Sequence, residues 1–478
     1  MATSYNVQFD VKKSPGLTHV EGLKAESAEK ASELLMLNHA KYHTYFNEFG
    51  LHNHIVHHLT TLWALGASPA EIQQGYDNNK KYQLPQHHHE VGVSEKLGSD
   101  RSFYKEHLGQ SEFYSDYLHF FQDLVDKRGV EDIVKEYLFK GDTQSTALLG
   151  RMFAGFLHPL LHLGFGLEFS QPCLVAESLA GACIHDDSPL SIVLPVEKHL
   201  TSNPSTATSS YLSIISALRA DLQIRTAVQP DDPPNRLVDG LLPRAGHLLP
   251  AYLSQWRVKP TQEDIDFKLA EMIHSTTFIS GAAQHPAKKP SIEFFMMHST
   301  NLSIFFPIFM SLGWLSLEAK ARLLNWKAWM DMAIYAANGC PQLYHDRISS
   351  YQPLYPGDWE SVIKRVNRFP DDGHTSKFIR AVMNAERISL ARPEYTDNAN
   401  GGFPLRKGEF LKIAHMGMDA VERIGGPDWE IPDEDRKLYV ERLGLHEEVA
   451  KIFLRNVRWC GLDGAWDGFA DLEEKARL

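Results

Sequence analysis

The stretch NHIVHHLTTLWALGA, residues 53–67, sets Ile55, Leu59, Leu62 and Trp63 along one side of a helix. Apolar residues at i, i+4, i+7 and i+8 follow a period of 3.6, not the alternation of a strand, and Gly66 supplies a stop. Histidines interrupt this apolar run. Two further stretches repeat the combination, FLHPLLHLGFGLEF (156–169) and FFMMHSTNLSIFF (294–306). A fourth, DDGHTSKFIRAV (371–382), places His374 and Lys377 three residues apart at a helix start. One histidine on an apolar face is an ordinary core residue. Four from distant segments suit a buried metal site, because imidazole is the commonest side-chain ligand.

Working outward, the remaining periodicity is also helical. Ser27 reads as the N-cap of a helix over SAEKASELLMLNHAKYHTYF, and Pro69 sits at the favoured first position of the next one. Residues 142–169 read as a long apolar helix or a helix pair. Further helices are expected near 263–275, 292–304, 317–337, 358–368, 374–388 and 407–422, with a turn at the GGP of 425–427. Residues 1–22 alternate weakly and suggest a short strand or a loose arm. Strand signals are otherwise sparse and no period of 20–50 residues recurs, so solenoids and propellers are excluded. The expected fold is mainly α, a single large helical body with a Pro-rich excursion. Its N-terminal half, 1–225, carries His54 and His158. The Pro-rich connection spans 226–262, and the C-terminal half, 263–478, carries His298, His374 and Lys377.

Composition bounds the function. The chain has 478 residues, 43% apolar and 23% charged, so it can bury a large core. A net charge of −12 disfavours a nucleic-acid backbone or an anionic membrane as partner. Four cysteines without zinc spacing point to a reducing compartment. No run approaches the ~18 apolar residues of a membrane span, and the N-terminus lacks a secretory pattern. A cytoplasmic protein is expected, with peroxisomal delivery the alternative raised by the terminal Ala-Arg-Leu.

His54 and His58 are spaced i,i+4, as are His158 and His162, which puts each pair on one helix face. The glutamate that a zincin needs beside its first histidine is missing, so a metalloprotease is not supported. The triple histidine at 87–89 lies in a polar, Pro-broken loop and reads as solvated. Lys377 beside His374 has two readings. It points to solvent, or it is buried, loses its proton and reacts with carbon dioxide to become an anionic carbamate, an oxygen ligand. No dinucleotide fingerprint, nucleophile elbow or Walker loop appears.

At LHNHIVHHLTTLWALGAS, GFLHPLLHLGFGLEF, FFMMHSTNLSIFFPIF and DDGHTSKFIRAVMNAE the chain resembles the questin oxidase-like family of fungal polyketide pathways. The resemblance implies oxidative opening of an anthraquinone ring on the way to benzophenones and xanthones. It implies Fe(II) held by His54, His158, His298, His374 and carboxylated Lys377, with dioxygen as co-substrate and a hydroxyanthraquinone as partner. His58, Ser299, Thr300 and His162 would then orient the ligands or hydrogen-bond the carbamate, with His58, Thr300 and His162 the catalytic candidates. His345 is the rival for a ligand place. Phe294, Phe295, Trp63 and Phe165 are candidates to stack on the substrate. Other members are described as needing NADPH or no metal. A metal-free or NADPH-dependent Baeyer–Villiger-type monooxygenase is therefore the alternative, and a non-catalytic helical binding protein the third reading.

Overall fold

The computed structural model describes residues 1–392, 403–424, 430–442 and 444–472. Among the described residues every regular element is a helix, and extended backbone pairs only in isolated bridges such as Thr3–Asn6 and Glu293–Val457. The mainly α expectation holds. The GGP turn and the terminal Ala-Arg-Leu lie outside the described residues.

Proximity along the backbone divides the chain into two compact units. The first comprises Met1–Ser191, Phe305–Leu323 and Asn367–Arg380; the second comprises Ile192–Ile304, Leu324–Val366 and Ala381–Leu478. The segment bearing His374 and Lys377 thus belongs with His54 and His158, and the Pro-rich stretch 226–262 lies within the second unit.

In the first unit, helices α1 (Ala25–Lys41), α2 (Ile55–Ala64) and α3 (Pro69–Asn79) pack on one another. Pro69 opens α3 as expected, inside a full capping box: Ser68 accepts from the Glu71 N–H, and the Glu71 carboxylate accepts from the Ser68 N–H. Ser27 is not the cap of α1. The helix starts at Ala25, and the Ser27 hydroxyl instead donates to the Ala67 carbonyl at 2.8 Å. Next come α4 (Tyr114–Arg128), α5 (Thr143–Arg151), α6 (Ala154–Glu168) and α7 (Pro172–Ile184). Helix α7 packs against both α4 and α6, and its residues from Cys173 to Ile184 are all buried. Being apolar all round it occupies the interior, and it carries Glu177 there. Residues 1–22 form no strand, yet they are fixed: Glu168 accepts from the Leu17 and Thr18 N–H groups, and the Trp63 indole donates to the Ser14 carbonyl.

In the second unit, α8 (Gln262–Ala282) packs on α9 (Phe294–Ser303). The Thr300 hydroxyl couples them, donating to the Thr276 carbonyl at 3.0 Å and meeting the Ser280 hydroxyl at 2.8 Å. Helix α10 (His374–Leu390) starts in the first unit and continues into the second.

Candidate metal centre

Three local devices aim three imidazoles inside the first unit. His54 is the residue before α2, with φ −94° and ψ 1°, so its ring is not held to the helix face. His158 follows three left-handed residues, Gly155, Phe156 and Leu157, with φ of 52°, 54° and 73°. Left-handed backbone costs roughly 1–2 kcal/mol for a residue other than glycine, so two consecutive cases mark a position held by its surroundings. Gly155 has a clear reason: a Cβ there would lie 2.6 Å from His52 Cε1 and 2.7 Å from His185 Nε2. His374 opens α10, where Asp372 accepts from its backbone N–H at 3.2 Å and Asp371 accepts from the Thr375 N–H at 2.7 Å.

Hydrogen bonds then decide the tautomers. His158 Nδ1 lies 2.6 Å from the Gly155 carbonyl oxygen, which can only accept, so Nδ1 carries the proton. His374 Nδ1 lies 2.7 Å from Asp372 Oδ1, and His54 Nδ1 lies 3.1 Å from Asp372 Oδ2. Burial alone would raise the Asp372 carboxyl, but the His374 and His54 rings hold it well below the usual carboxylate range. It is therefore an ionised acceptor, and both rings donate to it. In each of the three imidazoles Nε2 is left as the lone-pair nitrogen. His54 Nε2 and His158 Nε2 lie only 2.7 Å apart. Burial, with the Lys377 charge adding to it, pushes His54 down to about 3, so no second proton on His54 bridges the pair at neutral pH. Two lone pairs facing each other in a dry interior call for a cation between them. A ring whose far N–H is held by a carboxylate or carbonyl is also the usual supporting arrangement around a metal-bound histidine. The donor set fits a divalent transition metal.

Lys377 lies in the same unit, 4% exposed, and its Nζ has no hydrogen-bond partner. Burial lowers it to about 8 against the opposing pull of Asp372 and Asp371. A substantial share of neutral amine follows at physiological pH. The solvent-pointing reading of Lys377 is thereby excluded.

His57 was not singled out in the sequence, yet it belongs to this cluster. It is 1% exposed, neither ring nitrogen has a partner, and its ligand atom lies within 4.8 Å of those of His54 and His158. Burial and then the Lys377 charge push it well below the usual imidazole range. His58, at i,i+4 from His54, differs: Asn79 donates to its Nδ1 at 3.3 Å, making Nε2 the protonated nitrogen. The spacing argument failed because His54 stands outside the helix.

His162 donates from Nε2 to Glu177 at 2.8 Å, and His39 donates from Nδ1 to the other carboxylate oxygen at 2.6 Å. A small cavity borders this pair and is lined by His52, His57, His158, His162, Glu177 and His185 among others. His298 belongs to the second unit, where it is 1% exposed and its Nδ1 donates to the Phe294 carbonyl at 2.7 Å. Its Nε2 is thus the lone-pair nitrogen, as in the other three. His345 is half-exposed and paired with Glu409 at 3.0 Å, as a surface ion pair would be. His87 and His88 are exposed, in line with the solvated reading, whereas His89 stacks on His119 at 3.6 Å. Trp63 and Phe165 are wholly buried and packed on Phe9 and Phe305, and Phe165 also stacks on His57 at 5.0 Å.

This assembly can be compared with known proteins. The family model described as questin oxidase-like matches residues 51–382, a stretch that contains all five predicted ligands. The chain belongs to this family. Oxidoreductase AflY of Aspergillus parasiticus is 45% identical over 476 residues, covering 99% of this chain and 95% of that protein. Baeyer–Villiger monooxygenase dmxR6 of a Cryptosporiopsis species is 36% identical, covering 85% and 91%. A questin oxidase of Aspergillus terreus is 33% identical, covering 85% and 90%. The family is one of oxidoreductases, and this chain is an enzyme of that class. Among the described residues no helix is long and apolar enough to cross a membrane.

Proposed function

We propose that the protein is an iron-dependent oxygenase that opens a ring of a hydroxylated anthraquinone, with dioxygen as co-substrate. His54, His158 and His374 would hold Fe(II) through Nε2, together with an oxygen of carboxylated Lys377. The family pattern nominates His298 as the fourth imidazole. The observation that carries this reading is the facing pair of Nε2 lone pairs on His54 and His158, beside a buried lysine amine with no partner. Bound iron would supply the one-electron chemistry that lets dioxygen react with a closed-shell aromatic ring.

The chain's own groups have definable tasks. Asp372 fixes the tautomers of His54 and His374, so both present a lone pair without a proton to lose. Lys377 must be neutral to react: its amine adds to carbon dioxide, forming the N–C bond of a carbamate and releasing one proton. An amine lowered to about 8 meets that requirement where an ordinary lysine would not. The carbamate then replaces a buried positive charge by a negative one beside the imidazoles. Glu177 orients His162 at the cavity wall, where that ring can hold a proton taken from a phenol through water.

A second reading, a metal-free or NADPH-dependent Baeyer–Villiger-type monooxygenase on the same substrate class, is favoured by the oriented His162–Glu177 pair and by the names of several relatives. Elemental analysis of protein purified without chelators separates the two. Near-stoichiometric iron in the parent, with little in Lys377→Ala and His54→Ala, supports the iron reading. Ring opening by protein that holds no iron overturns it. His298→Ala, assayed alongside, tests the fourth ligand.

A further inference from the structure

Most polar side chains around the small cavity of the first unit find partners in one another or in the backbone. His185 donates from Nδ1 to the Gly181 carbonyl at 2.5 Å. Burial pushes it down to about 4, so it is neutral and its Nε2 accepts from His52 Nε2, 2.7 Å away. Asn53 donates to Asn38 at 2.9 Å, and Ser178 to the Val175 carbonyl at 2.9 Å. His158 and His162 are held by the Gly155 carbonyl and the Glu177 carboxylate. His57 is the exception among the lining histidines. In either tautomer it offers one N–H and one lone pair, and neither has a partner. Its ring is fixed nonetheless, stacked on Phe165 at 5.0 Å and 19° and leaning on His162 at 5.3 Å. Buried polar atoms are seldom left unpaired, so a rigid ring with two such nitrogens on a cavity wall calls for an occupant. Ligation to the candidate metal suits His57 less well, although its ligand atom lies within 4.8 Å of those of His54 and His158. His54, His158 and His374 each have Nδ1 held by an acceptor, the arrangement that orients a metal-bound ring, and His57 has no such acceptor.

We propose that this cavity is the subsite for a small oxygen ligand, dioxygen in the reaction, and that His57 holds it by donating a ring N–H to one of its oxygens. This rests on the iron reading above and adds the residue that receives the co-substrate. The same wall carries His158 of the candidate ligand set and the Glu177-oriented His162, so the ligand meets a metal-binding ring and a proton carrier in one enclosure. All of these residues belong to the first unit. A fixed N–H in an enclosed site stabilises charge as it builds on oxygen, without reorganising. Water would satisfy His57 in the same way and is the competing occupant.

The test uses nitric oxide, a diatomic probe for dioxygen, on the full chain loaded with Fe(II) and free of substrate. Infrared spectroscopy reads the N–O stretch, and titration reads the affinity. His57→Leu, or His57→Ala should the larger side chain prevent folding, should keep the parent's iron content and move the stretch to higher frequency. It should also raise the Kd for nitric oxide about tenfold, what one hydrogen bond is worth. His57→Gln, which keeps an N–H donor, should restore the parent frequency, a rescue that a packing role would not give. A stretch and affinity unchanged in the apolar variant overturn the proposal alone and leave water as the occupant. Iron content falling to the level of His54→Ala overturns it too, by making His57 a ligand. A parent that binds no iron, and so gives no nitrosyl band, overturns the iron reading itself.

Discussion

Glu177 in the first unit and Glu293 in the second are both buried carboxylates, at 5% and 0% exposure, and they behave in opposite ways. Burial raises both. Around Glu177 the His162 and His39 rings more than offset it and bring the carboxyl down to about 2. Glu293 accepts backbone N–H groups, from Met296 at 2.6 Å, from Trp459 at 3.0 Å and from Phe295, and sits at about 7. Two imidazoles outweigh burial; three peptide N–H groups and the Arg458 charge do not. The first unit therefore keeps its charge ionised beside the histidine cluster. The second uses a carboxyl close to neutral to cap α9.

Breaking the stronger partner set should have the larger effect. Glu177→Leu leaves two buried imidazoles without an acceptor and should cost about 3–5 kcal/mol in denaturant unfolding. Asp372→Asn tests whether the same logic governs the proposed metal centre. An amide is an uncharged, weaker acceptor and turns one of the two oxygens into an NH2 donor facing these rings, so His54 and His374 are held less firmly, and iron affinity should fall about 10–100-fold in chelator competition. Unchanged affinity would remove Asp372 from the site.

The two glutamates also predict opposite slopes of stability with pH. A depressed carboxyl contributes stability above its unfolded value near 4.5 and loses it as pH falls through about 2. A raised carboxyl contributes below that value and loses it as pH rises through about 7. Glu293→Gln should therefore flatten the stability profile between pH 4.5 and 7, and Glu177→Gln should flatten it below 4.5. The smallest change is expected from Glu293→Gln at pH 8, within about 1 kcal/mol. The parent there holds a buried charge, and a neutral amide still offers one acceptor.

Much of the architecture was legible because it depends on local repetition. The 3.6-residue apolar period places α2, α6, α8, α9 and α10 from the chain alone, and the same stretches contain His54, His158, His298, His374 and Lys377. Buriedness of Lys377 was an open alternative that packing resolved. Ser27 was misread as a cap because spacing rules assume that the helix starts where the pattern does. Helix α1 begins two residues earlier, and α2 begins one residue after His54.

By itself, then, the sequence determined a helical protein with imidazoles and one lysine placed in apolar segments, since periodicity and residue chemistry are properties of neighbours in the chain. Only the tertiary structure decided which nitrogen bears a proton in rings such as His54 and His39, where the deciding acceptor lies far along the chain. For His54 it is Asp372, 318 residues away, and for His39 it is Glu177, 138 residues away. The left-handed turn at Gly155–Leu157 was equally hidden. No local rule anticipates a conformation that local energetics oppose at Phe156 and Leu157.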